Sequence, residues 1–187
     1  PVARLSPVTG RDGQLRNSAD LHSLSNHAMS LLPKIVEWLT TQGVPFQQLH
    51  HAPTLTSRDS AAARGESLSS GGKALLLSCD GEFRLFVLPA DRKLDSAAIR
   101  RELPCKKCRF ATPDELLERT GLVPGSVPPF GPPVLPFPLY IDTAFDANEK
   151  VAFNAGSLTD SLILSREDYL RVAAPTARFA FSLPPQE

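Results

Sequence analysis

Four short segments of the sequence place residue types where they could do chemistry. Lys73 stands at the mouth of an otherwise apolar run, directly after Gly71-Gly72. An ammonium there either snorkels to solvent or points at an anionic or carbonyl group of a substrate, and the adjacent glycines favour the second. Gly121-Leu122-Val123-Pro124-Gly125 combines two glycines with a stiffening proline. That pattern can aim free backbone amides at a carbonyl or phosphate, or it can be a plain turn. Asn154-Ala155-Gly156-Ser157, with Thr159 and Asp160 just beyond, sets small and polar side chains at a strand end, where they line a pocket or cap a turn. His50 and His51 can titrate near neutrality and act as bases, or decorate the surface ahead of Pro53.

Other reactive groups carry less. Cys105-Lys106-Lys107-Cys108 has the spacing of half a zinc site or a redox pair, but the chain's 3 cysteines supply no second pair. Two ordinary thiols flanking a basic turn are expected, with Cys79 in a strand and no metal. No nucleophile elbow, HExxH, P-loop or dinucleotide fingerprint occurs, which disfavours the enzyme classes built on them. The 20 basic and 20 acidic residues cancel, which excludes a protein that coats nucleic acid through bulk charge but leaves room for a local patch. From Asp91 to Phe110, seven basic residues stand against three acidic ones. Arg100, Arg101, Lys106 and Lys107 are the candidates there for phosphate contact, the other reading being solvated charge. No run approaches the roughly 18 unbroken apolar residues of a membrane span. Pro1-Val2-Ala3-Arg4 lacks the charged-then-apolar order of a signal peptide, so a soluble, cytoplasmic protein is expected.

The elements that must position these residues follow from periodicity. The 187 residues suit one domain. Residues 1–27 show no apolar period and read as a flexible lead-in, residues 28–174 as the domain, and residues 175–187 as a tail with an edge strand at Ala177 to Leu183. Leu31, Leu32, Ile35, Val36 and Leu39 predict a helix that Gly43 stops, followed by a short strand ending near Leu49. Thr56 or Ser57 caps a helix to Arg64 with Gly65 as terminator. After a flexible Ser69-Ser70-Gly71-Gly72, the runs 73–78 and 83–88 form a hairpin across Asp80-Gly81. A helix is expected over 94–103, and Thr112-Pro113-Asp114-Glu115 is a capping box opening another, to Thr120. Residues 121–138 hold seven of the 18 prolines and must be a stiff loop. Strands at 139–142, 151–154 and 161–164 and a helix at 166–170 complete the chain. A hairpin and further strands interspersed with helices indicate an α+β fold, a single-domain mixed sheet flanked by helices.

Taken together and in order, these pieces resemble the YbaK/ProX family of free-standing aminoacyl-tRNA deacylases, related to the editing insertion of bacterial prolyl-tRNA synthetases. The resemblance spans about residues 30–173. It rests on Pro53-Thr54-Leu55-Thr56-Ser57 with Ala61 to Gly65, Lys73-Ala74-Leu75, and Leu85 to Leu88 followed by Pro89-Ala90-Asp91-Arg92-Lys93-Leu94-Asp95. It continues through Ala111 to Leu116, Gly121 to Gly131, Tyr140-Ile141-Asp142 and Asn154-Ala155-Gly156-Ser157.

The resemblance implies a partly open, barrel-like sheet and trans-editing: hydrolysis of the ester that joins a wrong amino acid to the 3′ adenosine of tRNA. Lys73 matches the family's lysine, which would hold the terminal adenosine or its phosphate. Gly121 and Gly125 match the loop that would position the ester carbonyl and the attacking water. Orienting a water beside an activated ester requires no covalent nucleophile, and no cofactor is implied. His51, Thr54, Thr56, Pro124, Asn154, Gly156, Ser157 and Asp160 are the substrate-binding candidates, suited to a small amino acid such as serine or threonine, with alanine and cysteine also open. Ala74 follows the lysine where some relatives place a polar residue. Mischarged tRNA, met at its 3′ acceptor end, is the implied partner, with an aminoacyl-tRNA synthetase as a further one. Two other readings stay in play: a non-catalytic module that binds an aminoacyl-tRNA end or a synthetase, and a proline-loop interaction domain at residues 123–138.

Overall fold

In the computed structural model, which describes residues 31–185, the two longest apolar runs form one hairpin buried on both faces. β2 (Gly72–Cys79) and β3 (Glu82–Pro89) pair antiparallel with Lys73 opposite Leu88, joined at Asp80-Gly81. Both turn residues have positive φ, 52° and 94°, as a tight two-residue connection requires. Side chains alternate along a strand, so Leu85 and Val87 enter one core cluster and Phe86 and Leu88 another. Continuous rather than alternating hydrophobicity is the consequence.

Around this hairpin lies a five-stranded mixed sheet of order β5-β2-β3-β6-β9, with β5 (Cys108–Phe110), β6 (Leu139–Asp142) and β9 (Ala177–Phe179). β6 runs parallel to β3, and β9 parallel to β6. A second, antiparallel sheet has order β1-β8-β7, with β1 (Gln47–His50), β7 (Lys150–Asn154) and β8 (Asp160–Ser165). A parallel bridge between Gly71 and Ala152 joins the two sheets at the entry to β2. The result is partly open and barrel-like, not a closed barrel. The larger core cluster includes Leu76, Phe130, Ile141, Phe153, Leu162 and Tyr169. The smaller one packs α3 (Ser96–Glu102) and Phe181 on the outer face of the hairpin.

The other helices are α1 (Leu31–Thr41), α2 (Ser57–Arg64), α4 (Pro113–Thr120) and α5 (Arg166–Ala173). Thr56 caps α2 and Asp95 caps α3, while Thr112 and Glu115 close the capping box of α4. The predicted lead-in at residues 1–27 lies outside the described residues.

The structure departs from the expectations in several places. Ser69 to Gly72 is no flexible linker: Leu68–Ser70 form a 3-10 turn, and the Gly71 carbonyl accepts from the Ala90 amide at 2.8 Å. A Cβ on Gly71 would lie 2.8 Å from Ala90 Cβ, so glycine serves close packing there rather than freedom. The helix expected over 94–103 is the shorter α3, because Lys93-Leu94 form β4 against β10 (Ser182–Leu183). β5 was not legible: three residues are too few for a period, and only the free edge of β2 makes them a strand. It sets Cys108 opposite Cys79, with the sulfurs 3.5 Å apart and both thiols pushed up chiefly by burial.

The proline-rich segment is a core wall as well as a loop. Phe130, 1% exposed, packs edge-to-face on Trp38 and Phe153, and the Tyr169 hydroxyl donates to the Pro129 carbonyl at 2.9 Å. Val127, Leu135 and Phe137 are buried beside it. An aromatic-groove ligand at residues 123–138 would need these side chains outside.

Candidate active site

The start of β2, the segment leading into α2, the loop at Gly125 and the end of β7 converge on a pocket of about 200 Å³. Its wall includes Thr54, Thr56, Arg64, Lys73, Gly125 and Asn154. That volume lies below the several hundred Å³ of drug-sized ligand sites, and it suits a small group. Leu55, 83% exposed, stands on the rim.

Lys73 reaches the pocket because β2 begins there. Its Nζ donates to the Arg92 carbonyl at 2.5 Å. Burial pulls its pKa below the ordinary lysine value, and the Asp91 carboxylate partly offsets this. An ammonium has three donors, so two remain beyond Arg92. Gly125 has φ 87°, and a Cβ there would meet Leu158 Cδ2 at 3.3 Å. The backbone amides of Gly125 and Val127 have no protein acceptor among the described residues, and both residues line the pocket.

On the opposite wall, Thr56 Oγ1 accepts from the Asp59 amide, and the Asp59 carboxylate accepts from the Thr56 amide. Ser60 donates to Thr54 Oγ1 at 2.8 Å, and Thr54 Oγ1 is 3.4 Å from the Leu158 carbonyl. The protons of Ser60 and Thr54 are thus directed at protein acceptors, which leaves oxygen lone pairs as their capacity for a ligand. Asn154 is buried and donates through Nδ2 to the Gly125 carbonyl at 2.9 Å.

Several sequence candidates stand outside the pocket wall. Gly121 is the left-handed terminator of α4, its amide donating to the Leu117 carbonyl at 2.8 Å. Pro124 is exposed next to Gly125. His51 lies behind the wall, with Nε2 2.8 Å from Ser161 Oγ. Gly156, at φ 88°, abuts α1, where a Cβ would meet Leu31 Cβ at 2.7 Å. Ser157 donates to Asp160 Oδ2 at 2.6 Å, and Asp160 Oδ1 pairs with His50 at 2.8 Å. These bonds, from Ser157 first and then His50, hold the Asp160 carboxyl below its usual value.

Arg64 is the charged wall residue that sequence reasoning missed, beside Leu55, Ser60 and Val127. In the sequence it is only the last basic residue before a helix-stopping glycine. The structure turns its guanidinium across to β7 and β8, where Nε donates to Ser161 Oγ at 2.9 Å. Burial brings its pKa down to about 10. Only the juxtaposition of α2 with β7 and β8 could reveal this.

The basic residues gather at the other end of β2. Arg100, Lys106, Lys107 and Arg109 border a second, open groove with Ser78, Asp80, Gly81 and Cys108. Asp80 holds that turn by accepting from the Lys106 and Lys107 amides at 2.8 Å each. Arg101 is outside the groove, 3.9 Å from Asp95. Ser78 lies five steps along β2 from Lys73, about 17 Å at strand rise. Among the described residues, no group of three or more His, Cys, Asp or Glu side chains is placed to hold a metal.

The sequence profile of the aminoacyl-tRNA editing domain matches residues 51–172. The chain is similar to a multifunctional Ser/Thr-tRNA deacylase, ProXp-y, of Escherichia coli K12, at 32% identity over 148 residues covering 76% of this chain and 87% of that protein. It is also similar to part of a proline–tRNA ligase of Bacillus licheniformis, at 32% identity over 86 residues, 46% of this chain and 15% of the ligase. Among solved structures, a hypothetical protein aligns with TM-score 0.72 and 27% identity, over 80% of this chain and 99% of that one. A proposed trans-editing enzyme for prolyl-tRNA synthetase aligns with TM-score 0.69 and 23% identity, over 84% and 97%, and so shares the fold.

Proposed function

Because the chain belongs to the aminoacyl-tRNA editing domain family, we propose that it is a trans-editing hydrolase that cleaves the ester of mischarged aminoacyl-tRNA. The observation that carries this reading is the convergence of Lys73, Gly125 and Val127 on one small pocket, where the amides of the two loop residues have no protein acceptor among the described residues. A water attacks the ester carbonyl, and charge develops on the carbonyl oxygen, where preorganised amides are most effective. The C–O bond to the ribose breaks, and the ribose oxygen takes the proton that water loses. Free amino acid and uncharged tRNA leave. Lys73 positions the terminal nucleotide and stabilises negative charge, while the terminal ribose hydroxyl helps orient the water. Leu55 offers the adenine an apolar face at the rim.

The preferred amino acid is small and bears a hydroxyl, serine or threonine, with alanine and cysteine behind them. The limited volume and the lone pairs of Thr54 and Ser60, which suit a hydroxyl donor, support this choice. The ProXp-y similarity agrees with it. The acceptor stem meets the basic groove at Arg100, Lys106 and Lys107, about 17 Å along β2 from Lys73, a span that the unpaired end of a tRNA can cross. No helix of the described residues is long and apolar enough to cross a membrane, and we assign the activity to the cytoplasm, with a synthetase as the supplier of mischarged tRNA.

A release assay tests the reading. Purified protein at substoichiometric amount should free serine or threonine from mischarged tRNA in multiple turnovers, faster than from correctly charged tRNA. Tight binding without release from any charged tRNA would replace the hydrolase with a non-catalytic module.

A further inference from the structure

Arg64 lines the pocket with a guanidinium that has no counter-charge among the described residues. Nη2 donates to Asn154 Oδ1 at 2.5 Å, Nε to Ser161 Oγ at 2.9 Å, and Nη1 reaches the Ala152 carbonyl at 3.4 Å. All three acceptors are neutral, and no carboxylate of the described residues forms an ion pair with it. Desolvating a cation without an anion is costly, so ion pairing does not account for an arginine here.

The Asn154 amide does. Its Oδ1 faces Arg64 and Ser161, and its Nδ2 donates to the Gly125 carbonyl. Ser161 has a single proton, and His51 competes for it. The Ala52 carbonyl, 2.8 Å from His51 Nδ1, can only accept, so Nδ1 carries a proton. In the neutral ring Nε2 then accepts from Ser161 Oγ. Arg64 is left as the donor that holds Asn154 Oδ1. An inverted amide would set NH2 against the guanidinium, donor to donor, and Oδ1 against the Gly125 carbonyl, acceptor to acceptor. The guanidinium therefore dictates which way the amide points, and that direction ties Gly125 to β7.

We infer that Arg64 is a positioning residue: by orienting Asn154 it holds the Gly125 carbonyl, and with it the loop that carries the Gly125 and Val127 amides. The consequence for catalysis rests on the deacylase reading; the consequence for the loop does not.

The test compares wild type with Arg64→Met, Arg64→Lys, Asn154→Ala and the double variant Arg64→Met/Asn154→Ala. Amide hydrogen exchange is followed at Val123 and Ser126, whose amides are bonded within the loop to Ser126 Oγ and the Val123 carbonyl, and steady-state kinetics are measured on mischarged tRNA. Arg64→Met should speed exchange at these two amides by about tenfold or more while β2 and β3 stay protected. It should lower kcat by about 100-fold, the cost of a misplaced catalytic group, with KM nearly unchanged. Arg64→Lys should restore part of both. Asn154→Ala removes the acceptor for Arg64 and the donor to Gly125 without burying a charge, so it should match Arg64→Met, and the double variant should be no worse than either single one. Unchanged loop exchange in folded Arg64→Met would overturn the inference. So would losses that multiply in the double variant, which would assign Arg64 to direct substrate contact. If Arg64→Met does not fold, Asn154→Ala and Arg64→Lys decide by the same two measurements. If wild type hydrolyses no charged tRNA, the deacylase reading fails, and the exchange experiment still judges the role of Arg64.

Discussion

Replacing Lys73 by methionine keeps an unbranched stem at the start of β2 and deletes the ammonium. Its protein partner is one carbonyl, that of Arg92 at 2.5 Å, so two of three donors are free for substrate. A hydrogen bond from a charged donor contributes about 1.5–3 kcal/mol. Without one such bond in the transition state, kcat/KM falls by roughly 10- to 150-fold. The Arg92 bond, from the same charged donor, contributes to folding instead, about 1.5–3 kcal/mol, and its removal lowers Tm by roughly 3–12 °C in a chain of this size. Single-turnover release of labelled amino acid, measured with wild type and Lys73→Met from neutral to alkaline pH, separates the two effects. Burial sets the folded pKa of Lys73 below the ordinary 10.5, so the ammonium is lost as pH rises through that lowered value. The ratio of wild-type to variant rates should therefore be flat near neutrality and fall before the ordinary lysine range is reached. Stability runs the other way: between the folded and unfolded pKa values the unfolded chain binds more protons, so this group's contribution rises with pH. A folded Lys73→Met enzyme with full activity, or a rate ratio that never falls with pH, would refute the assignment.

Three further outcomes are expected. Gly125→Ala forces a φ of 87° on a residue with a Cβ. It should cost about 1–2 kcal/mol, lower Tm by roughly 2–8 °C and reduce kcat more than it raises KM; an unchanged Tm and kcat would show that the loop tolerates another conformation. Charge reversal at Arg100, Lys106 and Lys107 should weaken tRNA binding and flatten its log–log salt dependence by about 0.7–0.9 for each phosphate that is no longer neutralised, whereas an unchanged slope assigns the groove to solvated charge. Glu115 is held down to about 2, chiefly by the hydrogen bonds from Arg109 and then by the Thr112 amide. Its contribution is present above the unfolded carboxyl value and lost as pH falls through about 2. Arg109→Ala should move the NMR-detected titration of Glu115 upward, and a stationary titration would remove Arg109 as the cause.

Local signals carried far where the deciding forces are local. Thr112-Pro113-Asp114-Glu115 caps its helix as written, and of the candidates Thr56 and Ser57 it is Thr56 that caps the other, because a cap closes within four residues. Asp80-Gly81 turns the hairpin because both residues adopt positive φ. β5 and β4 escaped notice, and the edge strand expected at Ala177 to Leu183 is split into β9 on β6 and β10 on β4, since two or three residues become strands only when a distant partner offers an edge. The proline segment was readable as stiff, but not as a core wall. Its inward face depends on Trp38, Phe153 and Tyr169, which arrive from α1, β7 and α5.

The candidate site divides in the same way. Lys73, Thr54, Thr56, Gly125 and Asn154 stood out because each residue type carries its chemistry in its own side chain or backbone, and all five line one pocket. The sequence by itself determined those groups, the hairpin that presents Lys73, and a balanced charge confined to local patches. Tertiary structure alone decided that Arg64 faces Asn154, that Gly121 terminates a helix outside the pocket wall, and that the basic groove stands at the far end of β2. These are relations between segments nearly a hundred residues apart in one case and strand lengths apart in another. Such relations exist only once burial of the two cores has brought the elements together, because a side chain's type fixes what it can bond but packing fixes what it meets.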